Sequence, residues 1–310
     1  MQMYRQSTAL VTLVLTVFVS DASADANSLN DNLGPREIGI GEAMRADSRG
    51  SSATTLNPAG LALDSLLVFE GSVGHRPGDG AYRVNVSACD STVPIPGCFY
   101  YKYFSAAPEI GSSMMSRKAH ELGSTVARRL SPRLLLGVTT KWFDYSSDLM
   151  SDGEGDASGF AVDAGLTMRA TPTFNVAVVG YNLWGENSAQ YPRGVGTGIS
   201  MRPSGRLALG FDALWNLDAP DDQSTGRYGG GGEFVLGQGQ SLYPLRAGGV
   251  YDKALEAGYL TGGLGLVTMK MGLDVGVRKQ ISGGDELMVV GSLRLFGPRG
   301  NAAPSFARRR

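Results

Sequence analysis

The stretch GFAVDAGLTMRATPTFNVAVVGYNLWG, residues 159–185, decides the fold. Phe160, Val162, Ala164, Leu166 and Met168 alternate with Asp163, Gly165, Thr167 and Arg169. Thr171-Pro172 then turns the chain, and Phe174, Val176 and Val178 resume the alternation. A period of two puts apolar residues on one face of a strand and polar ones on the other. The same rhythm recurs at Leu134 to Lys141, Leu207 to Asn216 and Lys270 to Arg278, and no strongly amphipathic helix interrupts it after residue 133.

Alternating strands build either a soluble sandwich, with the apolar face inward, or a membrane barrel, with that face toward lipid. Connection lengths favour the barrel. From Leu130 onward the links SP, TP, PSG, GQGQSLYP and VT are mostly short, whereas SSDLMSDGEGDAS, GENSAQYP, LDAPDDQSTG, DKALEAG and QISGGDE are mostly longer and often acidic. Outer-membrane barrels have short periplasmic turns and longer external loops. Trp142, Tyr145, Trp184, Trp215, Tyr228, Tyr251 and Tyr259 fall at strand ends beside the longer loops, as an aromatic girdle would. The expectation is an all-β transmembrane barrel of about fourteen strands over residues 65–296, with its tenth and eleventh strands at 227–236 and 245–251 and a periplasmic tail at 297–310.

Residues 1–26 read as a cleaved signal peptide: Arg5, the apolar run Ala9 to Val19, then the small-x-small sites Ala22-Ser23-Ala24 and Ala24-Asp25-Ala26. That run is about half the length a membrane-spanning helix needs. Among 310 residues, a net charge of -1 and a pI near 6.2 leave no electrostatic basis for binding nucleic acid. Cys89 and Cys98, nine residues apart in an exported chain, are expected to be bridged. His75 and His120, the only histidines, sit in no nucleophile motif or metal-ligand spacing, so no catalytic residue, metal or cofactor is assigned. The loop pairs Asp152/Glu154 and Asp221/Asp222 read as solvated rather than as calcium ligands.

The 44 glycines carry more by position than by number. Gly137, Gly165, Gly196, Gly198, Gly210, Gly229, Gly231, Gly248, Gly263, Gly265, Gly272 and Gly276 share the register of charged residues and therefore face the lumen. Either something packs closely against that wall, or the glycines relieve curvature in a closed sheet. The candidate occupant lies within residues 27–64: Pro35 suits a helix start, Ile38, Ile40 and Met44 form a loose apolar stripe, and Gly50 marks a stop. Asn57-Pro58 favours a turn, and Gly60 allows close approach. The inward charges Lys141, Asp163, Arg169, Asp212, Glu233, Arg246, Lys270, Asp274, Arg278 and Arg294 are expected to form a lumenal ion-pair network. Four consecutive glycines, Gly229, Gly230, Gly231 and Gly232, weaken one strand and suggest a kink or bulge for lateral release into lipid.

Gly34, Arg36, Gly39, Gly41 and Ala43, followed by Asn57-Pro58-Ala59-Gly60-Leu61-Ala62, resemble the N-terminal hatch of the FadL-like superfamily of outer-membrane long-chain fatty-acid transporters. The strand segments 130–143, 159–185, 207–215, 245–251 and 262–266 look closer still to its PorV-like branch. The resemblance implies a fourteen-stranded barrel with a lumenal plug in the outer membrane, surrounded by lipid. It also implies passive uptake of hydrophobic small molecules or, on the PorV-like side, a scaffold for secretion or surface attachment of proteins. The external loops lack the large apolar surface that captures ligand in fatty-acid channels, and the chain is shorter than those channels, which leaves the scaffold alternative open.

Overall fold

A computed structural model describes residues 32–110, 113–148, 155–185, 191–219 and 225–299. The expected signal peptide, the tail past residue 299, and the pairs Asp152/Glu154 and Asp221/Asp222 lie outside these residues. Fourteen antiparallel strands close into one barrel, each paired with its neighbours in sequence and the first with the last. In order they are Leu66–Arg76, Ala81–Asp90, Gly97–Ala106, Arg117–Arg129, Leu134–Ser147, Ala157–Thr171, Phe174–Gly185, Gly194–Met201, Leu207–Asn216, Arg227–Gln238, Ser241–Asp252, Ala257–Thr268, Met271–Ser282 and Leu287–Arg299.

Side-chain parity follows the alternation read from the sequence. Phe69, Phe99, Phe160, Phe211, Leu260 and Leu293, from six different strands, are exposed on the outside, while Thr139, Asp163, Asp212, Asp274 and Arg278 are buried within. An apolar belt around a closed wall belongs in hydrocarbon, where every backbone group must find its partner in the sheet. Cys89 and Cys98 face each other across the second and third strands and are bridged.

Several boundaries and orientations differ from expectation. The tenth and eleventh strands run on to Gln238 and back from Ser241, so the link GQGQSLYP collapses to a two-residue turn. Pro244, which has no N–H to give, sits where the ladder to the twelfth strand skips from Leu242 to Leu245. The last strand ends at Arg299, past Phe296. A small ladder, Glu109–Ile110 with Ser113–Met114, decorates the third connection. The girdle divides by parity. Trp142, Trp184 and Tyr251 are exposed, but Tyr145 and Tyr259 are buried inside, because Tyr145 lies an odd number of residues from Trp142 and so on the other face.

The stretch around Pro35 to Gly50 is not one helix. A short α-helix, Pro35–Gly39, stops at a turn in which Gly41 and Glu42 both have positive φ, at 65° and 62°. Short helical turns then follow at Arg45–Asp47, Ser52–Thr55 and Pro58–Leu63. Two glycines in Gly39-Ile40-Gly41 disfavour helix, and contacts with the wall decide the path instead. The Pro35–Gly39 helix packs on the twelfth and thirteenth strands, Arg45–Asp47 on the seventh and eighth, and Pro58–Leu63 on the fourth to sixth.

Candidate functional site

The Asn-Pro-Ala-Gly-Leu stretch is an anchored buried turn. Asn57 is fully buried; its Oδ1 accepts from the Ala59 N–H at 3.1 Å, capping the turn Pro58–Leu63, and its Nδ2 donates to the Arg45 carbonyl and to Thr167 Oγ1, each at 2.8 Å. All of its side-chain polar atoms are thereby used. Gly60 lies against Ser48, Ala59 and Leu61 are buried, and a Cβ on Gly137 or Gly165 would run into Pro58 or Asn57. The same holds around the wall: Gly210 abuts Ala43, Gly229 and Gly248 abut Gly41, Gly231 abuts Ile40, Gly263 abuts Gly39, and Gly276 abuts Pro35. Gly41 needs to be glycine twice over, for its φ and because a Cβ would meet the Gly249 carbonyl at 2.6 Å.

Charges join the same two surfaces. Arg36 pairs with Glu233 at 3.3 Å, and Arg45 with Asp212 at 3.1 Å. Glu42 takes a bidentate contact from Arg227, both oxygens at 2.8 Å, and a third bond from Arg278 at 3.0 Å. Asp47 pairs with Arg49 and with Arg202. Arg246 bridges Glu233 at 2.8 Å and Asp274 at 2.6 Å, and Asp274 also holds Arg294. Lys141 pairs with Asp163 at 2.8 Å, and Arg169 reaches the Leu63 carbonyl at 3.4 Å. Lys270 departs from the expected set, because it is exposed in the two-residue turn after Thr268 and not on the wall. Gly34 caps the first helix beside Glu37. Burial, then the nearby Glu70, pushes the Glu37 carboxyl up to about 7. Burial alone would raise Asp47 too, but Arg49, Arg202 and Arg36 hold it well below the ordinary carboxylate range.

Above this packed layer, on the side of the longer loops, lies a cavity of about 350 Å³. Leu33, Thr54, Thr55 and Leu56 form part of its lining from below, while Tyr181, Tyr191 and Leu214 contribute apolar surface and Lys102, Glu121, Lys141 and Asp163 a polar flank. The size falls within the range of small-molecule sites, which pair apolar walls with a few fixed polar groups. Tyr191 stacks on Phe143 with ring centroids 4.0 Å apart. Arg45 Nε donates to Tyr181 at 2.9 Å, and that hydroxyl donates to the Leu56 carbonyl.

Beside this cavity the wall is irregular. Between the sixth and seventh strands the register jumps from Val162 opposite Trp184 to Ala164 opposite Gly180, so Asp163 alone faces Tyr181, Asn182 and Leu183. Asn182 has φ 50°, and its N–H donates to Asp163 at 2.8 Å. The glycine run expected to carry a kink does not. Gly229 to Gly232 pair residue for residue with both neighbouring strands. Gly230 and Gly232 are opposite Phe211 and Leu209 on the outer face, whereas Gly229 and Gly231 meet the N-terminal segment. Small size here serves close approach, and both ladders run through the glycines without a bulge.

Sequence reading missed Tyr181, Asn182, Glu42 and Arg227. The first two stood inside an apparently regular strand, and Glu42 had no periodic signal. A tyrosine-asparagine step ahead of Trp184 was the available hint, since asparagine tolerates positive φ.

No family model matches the chain, and no curated protein matches it in sequence. Solved structures do resemble it. The CymD monoaromatic hydrocarbon channel superposes at TM-score 0.65 with 14% identity, over 86% of this chain and 99% of that one. A Pseudomonas aeruginosa FadL homologue gives 0.60 and 12%, over 85% and 97%. The Pseudomonas putida toluene transporter TodX gives 0.56 and 12%, over 91% and 99%. The nearer likeness to the PorV-like branch rests on the sequence motifs alone. The closed fourteen-stranded antiparallel barrel is the fold of the FadL-like outer-membrane channels.

Proposed function

We propose that the protein is an outer-membrane channel for passive entry of small hydrophobic molecules, with residues 32–64 as its plug. The observation that carries this reading is the cavity at the mouth lying directly against the bulge of the seventh strand. A molecule seated on Leu33, Leu56, Tyr181 and Leu214 has the packed layer beneath it and an interrupted wall beside it. Sideways exit into lipid asks only for rearrangement of Asn182 and Leu183, whereas exit downward must break the ion pairs of Arg36, Glu42, Arg45 and Asp47. The route therefore runs from the mouth through the bulge. CymD and TodX carry aromatic hydrocarbons by name, and a solute of that size suits the cavity.

Removing Asn182 and Leu183 together restores one-to-one pairing opposite Asp163. Uptake of a hydrophobic fluorescent probe by cells bearing that variant should fall to the level of cells lacking the protein, with the barrel still showing the heat-dependent gel shift of a folded β-barrel. If cells lacking the protein take up the probe as fast as wild type, the channel reading fails. The second reading, a scaffold for protein secretion or surface attachment, draws on the ion pairs that hold the plug to the wall beneath the cavity. It predicts loss of surface proteins from the same deletion strain.

A further inference from the structure

The first three strands present a different inner surface from the rest of the wall. Elsewhere the N-terminal segment packs on glycines and pairs its charges with those of the wall; here it meets oxygens with no such pair among the described residues. Glu70 is opposite Ser87, and Ser87 is opposite Tyr100, while Ser72 pairs with Asn85 one row further along. From the segment, Asn32, Glu37, Ser51 and Ser52 face the same space. Together they enclose a cavity of about 30 Å³, which has room for an ion or one to two waters and nothing larger.

Three features of this cavity point to an absent ligand. Glu37 and Glu70 form no ion pair among the described residues, and Lys102, the cation on the lining, is held by Glu121 at 3.1 Å. The neighbouring hydroxyls of Ser51 and Ser52 donate to Glu70 and Glu37 respectively, drawing both carboxylates to one place. Ser87 Oγ, on a residue only 7% exposed, has no hydrogen-bond partner among the described residues, and neither do the side-chain carbonyls of Asn32 and Asn85. Unsatisfied buried oxygens beside two carboxylates that make no ion pair are costly unless something positive sits among them.

We propose that this cavity binds a calcium ion, which staples the N-terminal segment to the first three strands. Two carboxylates match a double positive charge. The oxygens of Glu37, Glu70, Ser87, Asn32 and Asn85, with a serine hydroxyl, approach the six to eight ligands at irregular angles that Ca²⁺ accepts. Magnesium fits worse, since it holds a strict octahedron and keeps waters for which about 30 Å³ leaves no space. The assignment is independent of what passes through the barrel.

The test uses the full-length protein, purified in detergent and stripped with a chelator. Terbium, a calcium mimic whose emission is sensitised by nearby tyrosine, should bind next to Tyr100 and be displaced by Ca²⁺ but not by equal Mg²⁺. Glu37→Gln and Glu70→Gln should each weaken the calcium competition by at least about tenfold. Tyr100→Phe should dim the emission while leaving calcium affinity unchanged. If a carboxylate variant loses the folded gel shift, Ser87→Ala, which removes one neutral ligand, serves in its place with a smaller loss. No stoichiometric calcium-competable signal overturns the proposal. So does a signal indifferent to Glu70→Gln and Ser87→Ala, which would place the ion on external loops or lipid.

Discussion

Asn57 shows how much one side chain decides. Its amide nitrogen serves two acceptors and its oxygen one donor, with no exposure to water. Asn57→Ala strands three buried groups and should cost about 2–4 kcal/mol. Asn57→Asp should be worse despite its size, because it turns a carboxylate oxygen toward the Arg45 carbonyl. Thermal unfolding of the purified protein, with protease cleavage of residues 32–64 as the local readout, checks both. If the aspartate variant matches wild type, the amide nitrogen is not bonded as described. The importance of this motif was legible, since Asn-Pro announces a constrained turn and Gly60 a close approach. Its burial was not, because the same residues also make ordinary surface turns, and only the glycines on distant strands, Gly137 and Gly165, complete the pocket that receives it.

At the scale of the strand, period-two alternation accounts for the number of strands and for the facing of most residues, with Lys270, Tyr145 and Tyr259 as exceptions. Fourteen strands follow from it because a closed sheet buried in lipid must repeat the pattern without a gap. What alternation cannot reveal is a local excess of residues. The bulge at Tyr181 to Leu183 leaves the apolar count of its strand intact, whereas the unusual composition of Gly229 to Gly232 points to a strand that is regularly paired. Those four glycines allow a sharp contrast. A Cβ on Gly230 meets Phe211 at 3.4 Å and the Gly210 carbonyl at 3.8 Å, both ordinary contacts, whereas one on Gly231 comes within 2.6 Å of the Ile40 carbonyl and of the Ala247 carbonyl. Gly230→Val should therefore leave the barrel folded and the segment protected, gaining up to about 1 kcal/mol of strand propensity. Gly231→Val should expose residues 32–64 to protease. Equal protection in the two variants would assign both glycines to sheet curvature.

Across the whole molecule, the N-terminal segment and the wall are matched by charge as well as by shape, and the match makes their union sensitive to pH in two opposite senses. Asp47 is held well below its ordinary value of 3.8 by Arg49, Arg202 and Arg36, so its contribution is complete above that value and is lost as pH falls past it. Glu37 is raised from 4.5 to about 7 by burial and by Glu70, with Arg36 and Arg246 opposing the rise. The packed state then binds more protons than the released one between those values, so stability declines as pH climbs through that window. With chelator present, protection of residues 32–64 should peak near pH 4–5, between the two effects, and fall by pH 8. Glu37→Gln, neutral throughout, should abolish the alkaline decline and leave the acid limb untouched, since Asp47 remains. Asp47→Asn should do the reverse at lower overall stability. Protease protection followed from pH 3 to 8 in wild type and the two variants would separate the limbs; an alkaline decline that survives Glu37→Gln would move its origin away from the Glu37/Glu70 cavity.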